Sequence, residues 1–308
     1  MTNKIVAIQG NSPSKLNPVT DTSVFLAHEI QNKNYKIFYY DPRDLSIINS
    51  KVIAIGFFIE FNYKNKKFFK ILKKQKLELT KCKFILIRQD PPFNLEYISA
   101  TYILDSIKDK VKILNNPTSI RNVSEKLYSV KFQKYMPDTI FTQNIDEIKN
   151  FFKKYKKVIL KPIHSYSGND IHLLTSFNLK LIKKFIKQHD HIMCQKFIPK
   201  ISKGDKRVFL INGKVCGAIS RVPKKGSYLS NMSKGAKPIN IKLTKIENKI
   251  SKLIAKDLKK QNIFFAGIDF IDQKLNGDIN VTSPTGLKTL YDLSGINLAR
   301  TFWKELKA

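Results

Sequence analysis

Short apolar segments alternate with amphipathic segments through the first third of this 308-residue chain. Four apolar segments have the length and composition of strands: residues 4–8, 35–40, 84–88 and 111–114. Two amphipathic segments, residues 23–31 and about 95–107, have helical spacing. This alternation predicts the α/β class with a doubly wound parallel sheet. Ligands bind beyond the carboxyl ends of such strands, where residues 10–12 and 88–92 would lie.

A different pattern follows Pro117 and Thr118, which mark a predicted domain boundary. Helices are expected at residues 120–134, 145–155, 179–188 and 246–258. Strands are expected at residues 157–161, 193–197, 207–211, 215–221, 264–270 and 278–281. Asn212-Gly213 predicts a type I′ turn between antiparallel strands. Residues 224–237, rich in lysine, serine and glycine, are expected to form a mobile loop.

The net charge of +32 suggests a nucleic-acid partner at first sight, because basic surfaces bind phosphate backbones. However, only six of the 56 basic residues are arginines, and the charge is spread along the whole chain. Proteins that bind nucleic acid usually make bidentate contacts through arginine and have aromatic side chains among the charges. We interpret the excess as compositional drift toward lysine and expect no specific nucleic-acid partner. Four arginines then stand out, although an ion pair could explain any one of them: Arg88, Arg121, Arg207 and Arg221.

Membrane and disulfide signals are missing from the sequence. Its longest apolar runs are far shorter than the roughly 20 residues that cross a bilayer. The N-terminus runs straight into an apolar strand pattern without a signal-peptide core. Cys82, Cys194 and Cys216 lack paired spacing, so neither a zinc site nor a disulfide framework is indicated. We expect a cytoplasmic protein with no membrane partner.

Three oxygen-bearing side chains near the C-terminus carry the most specific chemistry. Asp278 and Asn280 are two residues apart, so they face the same way on a strand. Asp269 lies on the strand expected to pair with theirs. Hard cations such as Mg²⁺ prefer one or two carboxylates with phosphate and water oxygens. The set predicts a metal–nucleotide site, although an Asp-x-Asn pair alone is common.

Two lysines and a loop have the chemistry to hold phosphates. Lys161 ends an apolar strand and Lys126 lies early on a predicted helix, so both point charges could reach one polyphosphate. Ser167 and Gly168, in the following loop, could present backbone N–H groups to it. In a lysine-rich chain, either lysine alone is more simply explained as a solvated charge.

Two neighbouring segments could bind the remainder of a nucleotide. Asp205, in a turn that feeds a strand, can accept hydrogen bonds from ribose hydroxyls, and Arg207 can reach a phosphate or a carboxylate. A purine edge and face could be bound by Gln195, Phe197 and Ile198, through contacts to the edge and stacking on the face.

Taken in order along the chain, these motifs resemble the ATP-grasp superfamily and, within it, the bacterial glutathione synthetases. The similar strings are RQDPPF (88–93), ATYIL (100–104), NP (116–117), SEKL (124–127), LKP (160–162), GDKRV (204–208), SRVP (220–223) and DINVTSPTG (278–286). The DPPF and NVTSPT strings are specific to that family rather than to ATP-grasp ligases at large.

The resemblance implies a fold and a reaction. An N-terminal substrate domain (1–118) would precede a two-lobed α+β ATP-grasp domain with lobes at 119–199 and 200–308 and a lid at 224–237. ATP would activate the C-terminal carboxylate of gamma-glutamylcysteine as an acylphosphate. Glycine would then displace phosphate to give glutathione. Mg²⁺ or Mn²⁺ would be the cofactor, and a homo-oligomer is expected.

The resemblance also implies a role for each motif residue. The ATP ligands would be Lys126, Lys161, Ser167, Gly168, Gln195, Phe197, Ile198 and Asp205. The metal ligands would be Asp269, Asp278 and Asn280. The catalytic residues, stabilising the acylphosphate and the tetrahedral oxyanion, would be Arg207 and Arg221. The peptide substrate would contact Arg88, Ser283 and Thr285.

Several positions depart from the family's pattern. The phosphate loop holds one glycine, Leu229 stands where the lid usually carries an arginine, and Gly235-Ala236 replaces a glycine pair. Asp278 replaces the glutamate that bridges two metal ions and is one methylene shorter. The hairpin at 272–277 is one residue longer, which could compensate.

Gln89 and Asn94 replace a lysine and an aspartate of the family's pattern. With the altered lid, they leave open a ligase that joins a different peptide or amino-acid pair. A catalytically silent nucleotide-binding protein with a polyanionic partner is a third possibility. The two metal carboxylates argue against it, since a silent site has no need to cluster them.

Overall fold

A computed structural model describes residues 4–166 and 168–308, which form three sheets. The first sheet contains β1 (Ile5–Gln9), β2 (Lys36–Tyr40), β3 (Leu45–Ile48), β4 (Lys51–Phe61), β5 (Phe69–Glu78), β6 (Phe84–Ile87) and β7 (Lys112–Leu114). Its helices are α1 (Thr22–Gln31), α2 (Leu95–Asp105) and α3 (Pro117–Asn122). Strands β2, β1, β6 and β7 are parallel neighbours in that order. The predicted parallel sheet is confirmed.

Side chains of β1 alternate between two apolar layers, as expected for a strand covered on both faces. Val6 and Ile8 pack in a cluster with Phe25 of α1. Ala7 packs in a second cluster with Tyr97 and Leu104 of α2. The doubly wound arrangement therefore follows directly from the apolar run in β1.

An antiparallel extension, β3 to β5, lies beyond β2 and was missed by the sequence prediction. Strand β4 pairs with β2, β3 and β5. Most of β5 is exposed, including Ile71 and Leu72. Lysines flank these two adjacent apolar residues and Leu77 is the one buried residue of β5, so the strand lacks the apolar alternation on which strand prediction depends.

The second sheet places one face against helices and the other toward a cavity. Its strands are β8 (Thr139–Thr142), β9 (Val158–Pro162), β10 (His172–Leu174) and β11 (Ile192–Lys196), in the antiparallel order β10-β9-β11-β8. Helices α4 (Ile145–Tyr155) and α5 (Leu179–His189) pack on Val158 and Leu160. Because strand side chains alternate, Ile159 and Lys161 point to the opposite face.

The third sheet is antiparallel, in the order β14-β13-β12-β15-β16. Its strands are β12 (Asp205–Ile211), β13 (Lys214–Val222), β14 (Lys237–Asn240), β15 (Phe265–Ile271) and β16 (Lys274–Asn280). Helices α6 (Lys245–Lys260), α7 (Leu287–Ser294) and α8 (Leu298–Glu305) complete the chain. The turn predicted at Asn212-Gly213 is confirmed, since both residues have positive φ, 49° and 77°.

The C-terminal helix returns to the N-terminal sheet. Trp303 of α8 is fully buried, and its Nε1 donates to the carbonyl of Leu26 at 2.9 Å. Asn115, after β7, makes a second link: its amide donates to the carbonyls of Phe265 and Val281, both at 2.7 Å. The domain boundaries proposed at 118 and 199 remain predictions.

The single helix predicted at 120–134 is wrong. Helix α3 ends at Asn122, and a 3-10 segment occupies Leu127–Tyr135. Between them, the carbonyl of Glu125 accepts from the backbone N–H of Ile279 at 2.9 Å, and its carboxylate accepts from that of Val281 at 2.8 Å. These contacts with the third sheet override the local helical pattern. They place Lys126 at the start of the 3-10 segment.

Candidate active site

A cavity of about 580 Å³ is lined by residues from all three sheets and their loops. Its volume is within the range of small-molecule sites. Fourteen predicted site residues line it: Lys126, Lys161, Gly168, Gln195, Phe197, Ile198, Asp205, Arg207, Arg221, Asp269, Asp278, Asn280, Ser283 and Thr285. Arg88 is not among the lining residues, and Ser167 lies outside the described residues.

A buried network of two arginines and two carboxylates forms one wall. Register explains it, because Arg207 of β12 lies opposite Asp269 of β15, and Asp205 of β12 lies opposite Arg221 of β13. Arg207 donates to both oxygens of Asp269, at 2.5 and 2.8 Å, and Arg221 reaches the same carboxylate at 3.1 Å. Arg221 also donates to both oxygens of Asp205. Each guanidinium is therefore fixed in orientation.

The two arginines keep Asp269 charged in the interior, whereas burial raises the pKa of Asp205 despite the opposing charge of Arg221. Burial alone would raise the pKa of Asp269, but Arg207 and Arg221 outweigh burial and hold that pKa well below its usual range. Burial alone would lower the pKa of Arg221, but the charges of Asp205 and Asp269 outweigh burial and raise that pKa above its usual value. Asp269 therefore remains an ionised carboxylate at the cavity wall.

Two lysines converge on Asp278 at the cavity floor. Lys126 Nζ lies 3.4 Å and Lys161 Nζ 3.8 Å from its carboxylate oxygens. Lys126 also donates to the carbonyl of Ser165 at 2.8 Å. Burial lowers the pKa of Lys161 and the charge of Asp278 opposes that shift. The floor thus presents two ammonium groups and one carboxylate, as a bound polyphosphate and its cation would require.

A β-bulge in β16 sets the position of Asp278. Pairing with β15 shifts register so that Asn276, Gly277 and Asp278 together oppose Asp269. The turn before the bulge is only Asp272-Gln273, both with positive φ. Gly277 has φ 87° and a Cβ there would collide with Met193, so glycine is needed.

The bulge also introduces Asn276, a site residue that the sequence prediction missed. Its backbone carbonyl and its side-chain Oδ1 each accept from Lys161 Nζ at 2.9 Å. Its Nδ2 donates to Asp278 at 3.3 Å. Asn280 donates to the carbonyl of Gly267 at 3.1 Å and lies 3.5 Å from Asp269. The Asn-Gly pair directly before Asp278 was the available signal.

The predicted purine-binding residues lie at one end of the cavity. Gln195 is buried, and its side chain is already bonded to Lys161 at 3.1 Å and to Thr139 at 2.9 Å. Phe197 and Ile198 are half-buried in the lining. The Gln195 side chain therefore holds Lys161. Phe197 and Ile198 remain the residues predicted to stack on the purine face.

The predicted lid lies against the predicted phosphate loop. Lys234 Nζ donates to Asn169 Oδ1 at 2.9 Å, and Tyr228 donates to the carbonyl of Ile171 at 3.2 Å. Gly168 has φ 71°, and a Cβ there would collide with Asn231 of the lid. These contacts place the lid over the cavity mouth.

Arg88 lies behind the opposite end of the cavity. It is buried and donates to Ser23 at 3.0 Å and to the carbonyl of Pro284 at 3.1 Å. The structure therefore places it as a support for the loop that carries Ser283 and Thr285. Loops of the first sheet also line this end: Asp90 lies in the segment 88–92 where a ligand was expected, whereas Lys15, Asn17 and Asp21 were not predicted.

The two departures near Arg88 have structural explanations. Gln89 is buried and hydrogen-bonded to Gln9. Asn94 is exposed and accepts from the backbone N–H of Tyr97 at 3.0 Å, which caps α2. Aspartate and asparagine are nearly equal as helix caps. Replacement of the family's aspartate at 94 therefore leaves the cap intact.

This cap gives a small, specific stability prediction. Asn94→Ala should lower the free energy of unfolding by about 1 kcal/mol, because one N–H of the first turn loses its partner. Asn94→Asp should change it by less than about 0.5 kcal/mol. Urea denaturation followed by circular dichroism measures both. Equal losses in the two variants would contradict a capping role.

Comparison with known proteins defines the class of protein first. The chain is similar to a Chryseobacterium gregarium RiPP-associated ATP-grasp ligase solved with ADP and peptides, with a TM-score of 0.66, 16% identity, and coverage of 99% of this chain and 97% of that one. The fold is therefore that of ATP-grasp ligases.

Sequence comparison then gives the family. Residues 5–121 match the prokaryotic glutathione synthetase N-terminal domain and residues 125–295 match its ATP-grasp domain. The glutathione synthetase of Bradyrhizobium diazoefficiens is 32% identical, covering 98% of this chain and 97% of its own. That of Brucella melitensis is 33% identical, covering 98% of each. The chain belongs to the prokaryotic glutathione synthetase family.

Family membership confirms the predicted resemblance and the predicted ATP-dependent ligase class. Across residues 4–166 and 168–308, no helix has the length and apolarity to cross a bilayer.

Proposed function

We propose that this chain joins gamma-glutamylcysteine to glycine, with cleavage of ATP to ADP and phosphate. The observation that carries the proposal is the match to both domains of the family over nearly the whole chain. The proposal is also supported by the cavity, because fourteen of the predicted site residues line it together. The roles of those residues are part of the same proposal.

Phosphoryl transfer to the peptide carboxylate needs positioning and charge neutralisation. Lys126 and Lys161 would bind the phosphates, and Gly168 with its loop would cover them. Phe197 and Ile198 would bind the purine. Asp205 would reach the ribose only if it keeps a free lone pair, because Arg221 bonds both of its oxygens.

Arg207 and Arg221 would stabilise the charge that develops on the acylphosphate and on the tetrahedral intermediate. Their guanidinium groups are buried and fixed by Asp205 and Asp269, so little reorganisation is needed when charge develops. The lid at 224–237 would exclude water, which otherwise hydrolyses the acylphosphate.

The donor set of the cavity suits Mg²⁺. Asp269, Asp278 and Asn280 present only oxygen donors of the kind a hard cation prefers, and Asp278 is open to the cavity. No cluster of three or more His, Cys, Asp or Glu able to hold a metal occurs in the described part of the chain, so phosphate oxygens would complete the coordination. Bound Mg²⁺ would neutralise phosphate charge.

The end of the cavity near the first sheet would bind the peptide. Ser283 and Thr285 lie there with Lys15, Asp21 and Asp90, giving both signs of charge. Gamma-glutamylcysteine carries one ammonium and two carboxylates, so such a mixed wall is complementary to it. Arg88 would act indirectly, through the carbonyl of Pro284.

An omission assay tests the proposed reaction. Purified protein should release ADP with Mg-ATP, gamma-glutamylcysteine and glycine together, and release should fall to background when any one of them is left out. Mass spectrometry should identify glutathione as the product. Turnover with another peptide or amine, but not with this pair, would overturn the proposal.

A ligase for a different peptide or amino-acid pair is the second candidate. Leu229 favours it, because this apolar lid residue lines the cavity where the family's pattern has an arginine. The same assay with other gamma-glutamyl dipeptides and other amines in place of glycine separates the two candidates.

We also propose that Mn²⁺ can replace Mg²⁺, since both accept carboxylate and phosphate oxygens. Assembly as a homo-oligomer and a cytoplasmic location are proposed on the family resemblance. Light scattering of the purified protein tests the oligomeric state.

A further inference from the structure

The ammonium group of Lys161 has all its hydrogen-bond capacity in use. An ammonium has three donors. The three acceptors around Lys161 Nζ are Gln195 Oε1 at 3.1 Å, the Asn276 carbonyl at 2.9 Å and Asn276 Oδ1 at 2.9 Å. A phosphate oxygen can therefore bind Lys161 only by displacing one of them.

The three acceptors differ in how freely they can leave. Gln195 is buried, and its amide nitrogen is anchored to Thr139 at 2.9 Å. The Asn276 carbonyl is backbone, fixed within the bulge. The Asn276 side chain is half-buried, lines the cavity and turns about its own χ angles. It is the acceptor that leaves with the least rearrangement.

The other end of the same amide is bound to the opposite charge. Asn276 Nδ2 donates to Asp278 at 3.3 Å, while Oδ1 accepts from Lys161. The amide dipole thus lies between an ammonium and a carboxylate, with its oxygen where an anion would bind and its nitrogen where a cation would bind. A phosphate and its cation are complementary to the same two groups.

We propose that the Asn276 side chain competes with a nucleotide phosphate for Lys161 and so sets the affinity of the site for nucleotide. The inference rests on the proposed role of Lys161 as a phosphate ligand. It assigns a function to the bulge, because the shift in register is what brings Asn276 to Lys161. Asn276 would control how tightly the site binds nucleotide and would take no part in the chemical step.

The sign of the effect distinguishes competition from simple support. Asn276→Ala removes an acceptor that the nucleotide must displace, so the Kd for ADP should fall by about tenfold, the equivalent of one hydrogen bond to a charged group. Asn276→Asp adds a negative charge beside Lys161 and Asp278, so the Kd should rise. If Asn276 only supported Lys161, the alanine variant would bind ADP more weakly.

Calorimetric titration of the full chain with ADP in EDTA measures these values without catalysis or metal. Asn248→Ala, on helix α6, is the matched control and should leave the Kd unchanged. Thermal melting shows whether each variant is folded. A larger melting shift on adding ADP to Asn276→Ala than to the unaltered chain would be a second readout of tighter binding.

Lys161→Met separates failure of this inference from failure of the proposed phosphate role. It should weaken ADP binding, and in its background Asn276→Ala should have no further effect. Weak binding by Lys161→Met with an unchanged or raised Kd for Asn276→Ala would overturn the competition alone. Unchanged binding by Lys161→Met would overturn the role of Lys161, and with it the competition.

Discussion

Asp278→Asn is expected to lower the rate of ligation by about a thousandfold, because the stabilisation that a bound cation gives to transferring phosphate is worth several kcal/mol. Asp278 is more exposed than Asp269, with 22% against 5% of the side chain accessible, and it lies between Lys126 and Lys161. Asparagine keeps the shape but loses the charge. Steady-state ADP release with both substrates measures the loss.

The same variant should remain folded, because Lys126 keeps its acceptor at the Ser165 carbonyl and Lys161 keeps its acceptors on Gln195 and Asn276. ADP binding in EDTA should also persist, because the lysines remain. Asp272→Asn is the matched control: it lies in the turn of the same hairpin, pairs among the described residues with exposed Lys200 alone, and should keep full activity. Activity retained by Asp278→Asn would show that the metal site is elsewhere.

Four buried apolar strands of the first sheet were predictable from the sequence, but β4 was missed although Val52, Ala54, Ile59 and Phe61 are buried. Strands β1, β2, β6 and β7 each pack into apolar clusters on at least one face, and the corresponding runs were predicted within a few residues. Strand β5 faces solvent over most of its length, so no apolar pattern marks it. Its position is determined by pairing with β4, which is a long-range property.

Residues whose role depends on contacts distant in sequence were likewise missed. The sequence indicates Glu125 only as part of the SEKL motif. In the structure its backbone carbonyl and its carboxylate accept hydrogen bonds at the end of β16, 154 or more residues away. That contact interrupts the predicted helix with a turn at residues 125–126. Asn276 was missed for the same reason, because the register shift against β15 is what brings it to Lys161.

The grouping of the residues proposed to bind metal and phosphate was predictable, because side-chain chemistry and spacing together indicate it. Asp278 and Asn280 share a face by strand alternation, and the structure places both on the cavity beside Asp269. What spacing could not give is their partners. Asp269 is bonded to two arginines, so the acidic and basic motifs form one network rather than separate sites.

That network is the basis of the second large effect. Arg221→Met is expected to lower the free energy of unfolding by about 3–5 kcal/mol, because it leaves buried Asp205 without its only ion-pair partner among the described residues and Asp269 with one guanidinium instead of two. Ligation should fall by about a thousandfold even where the protein is folded, because a positioned charge at the oxyanion is lost. Urea denaturation and ADP release measure the two effects separately.

Two further variants test whether stability and activity depend on Arg221 for different reasons. Asp205→Asn in the Arg221→Met background should restore part of the lost stability, since it removes an uncompensated buried charge, and should restore no activity. Arg300→Met is the matched control, because Arg300 is exposed and pairs with Glu29 on the surface, so it should cost about 1 kcal/mol or less. If Asp205→Asn restored activity along with stability, Arg221 would serve the fold rather than the reaction, and the stabilising charge would come from Arg207 alone.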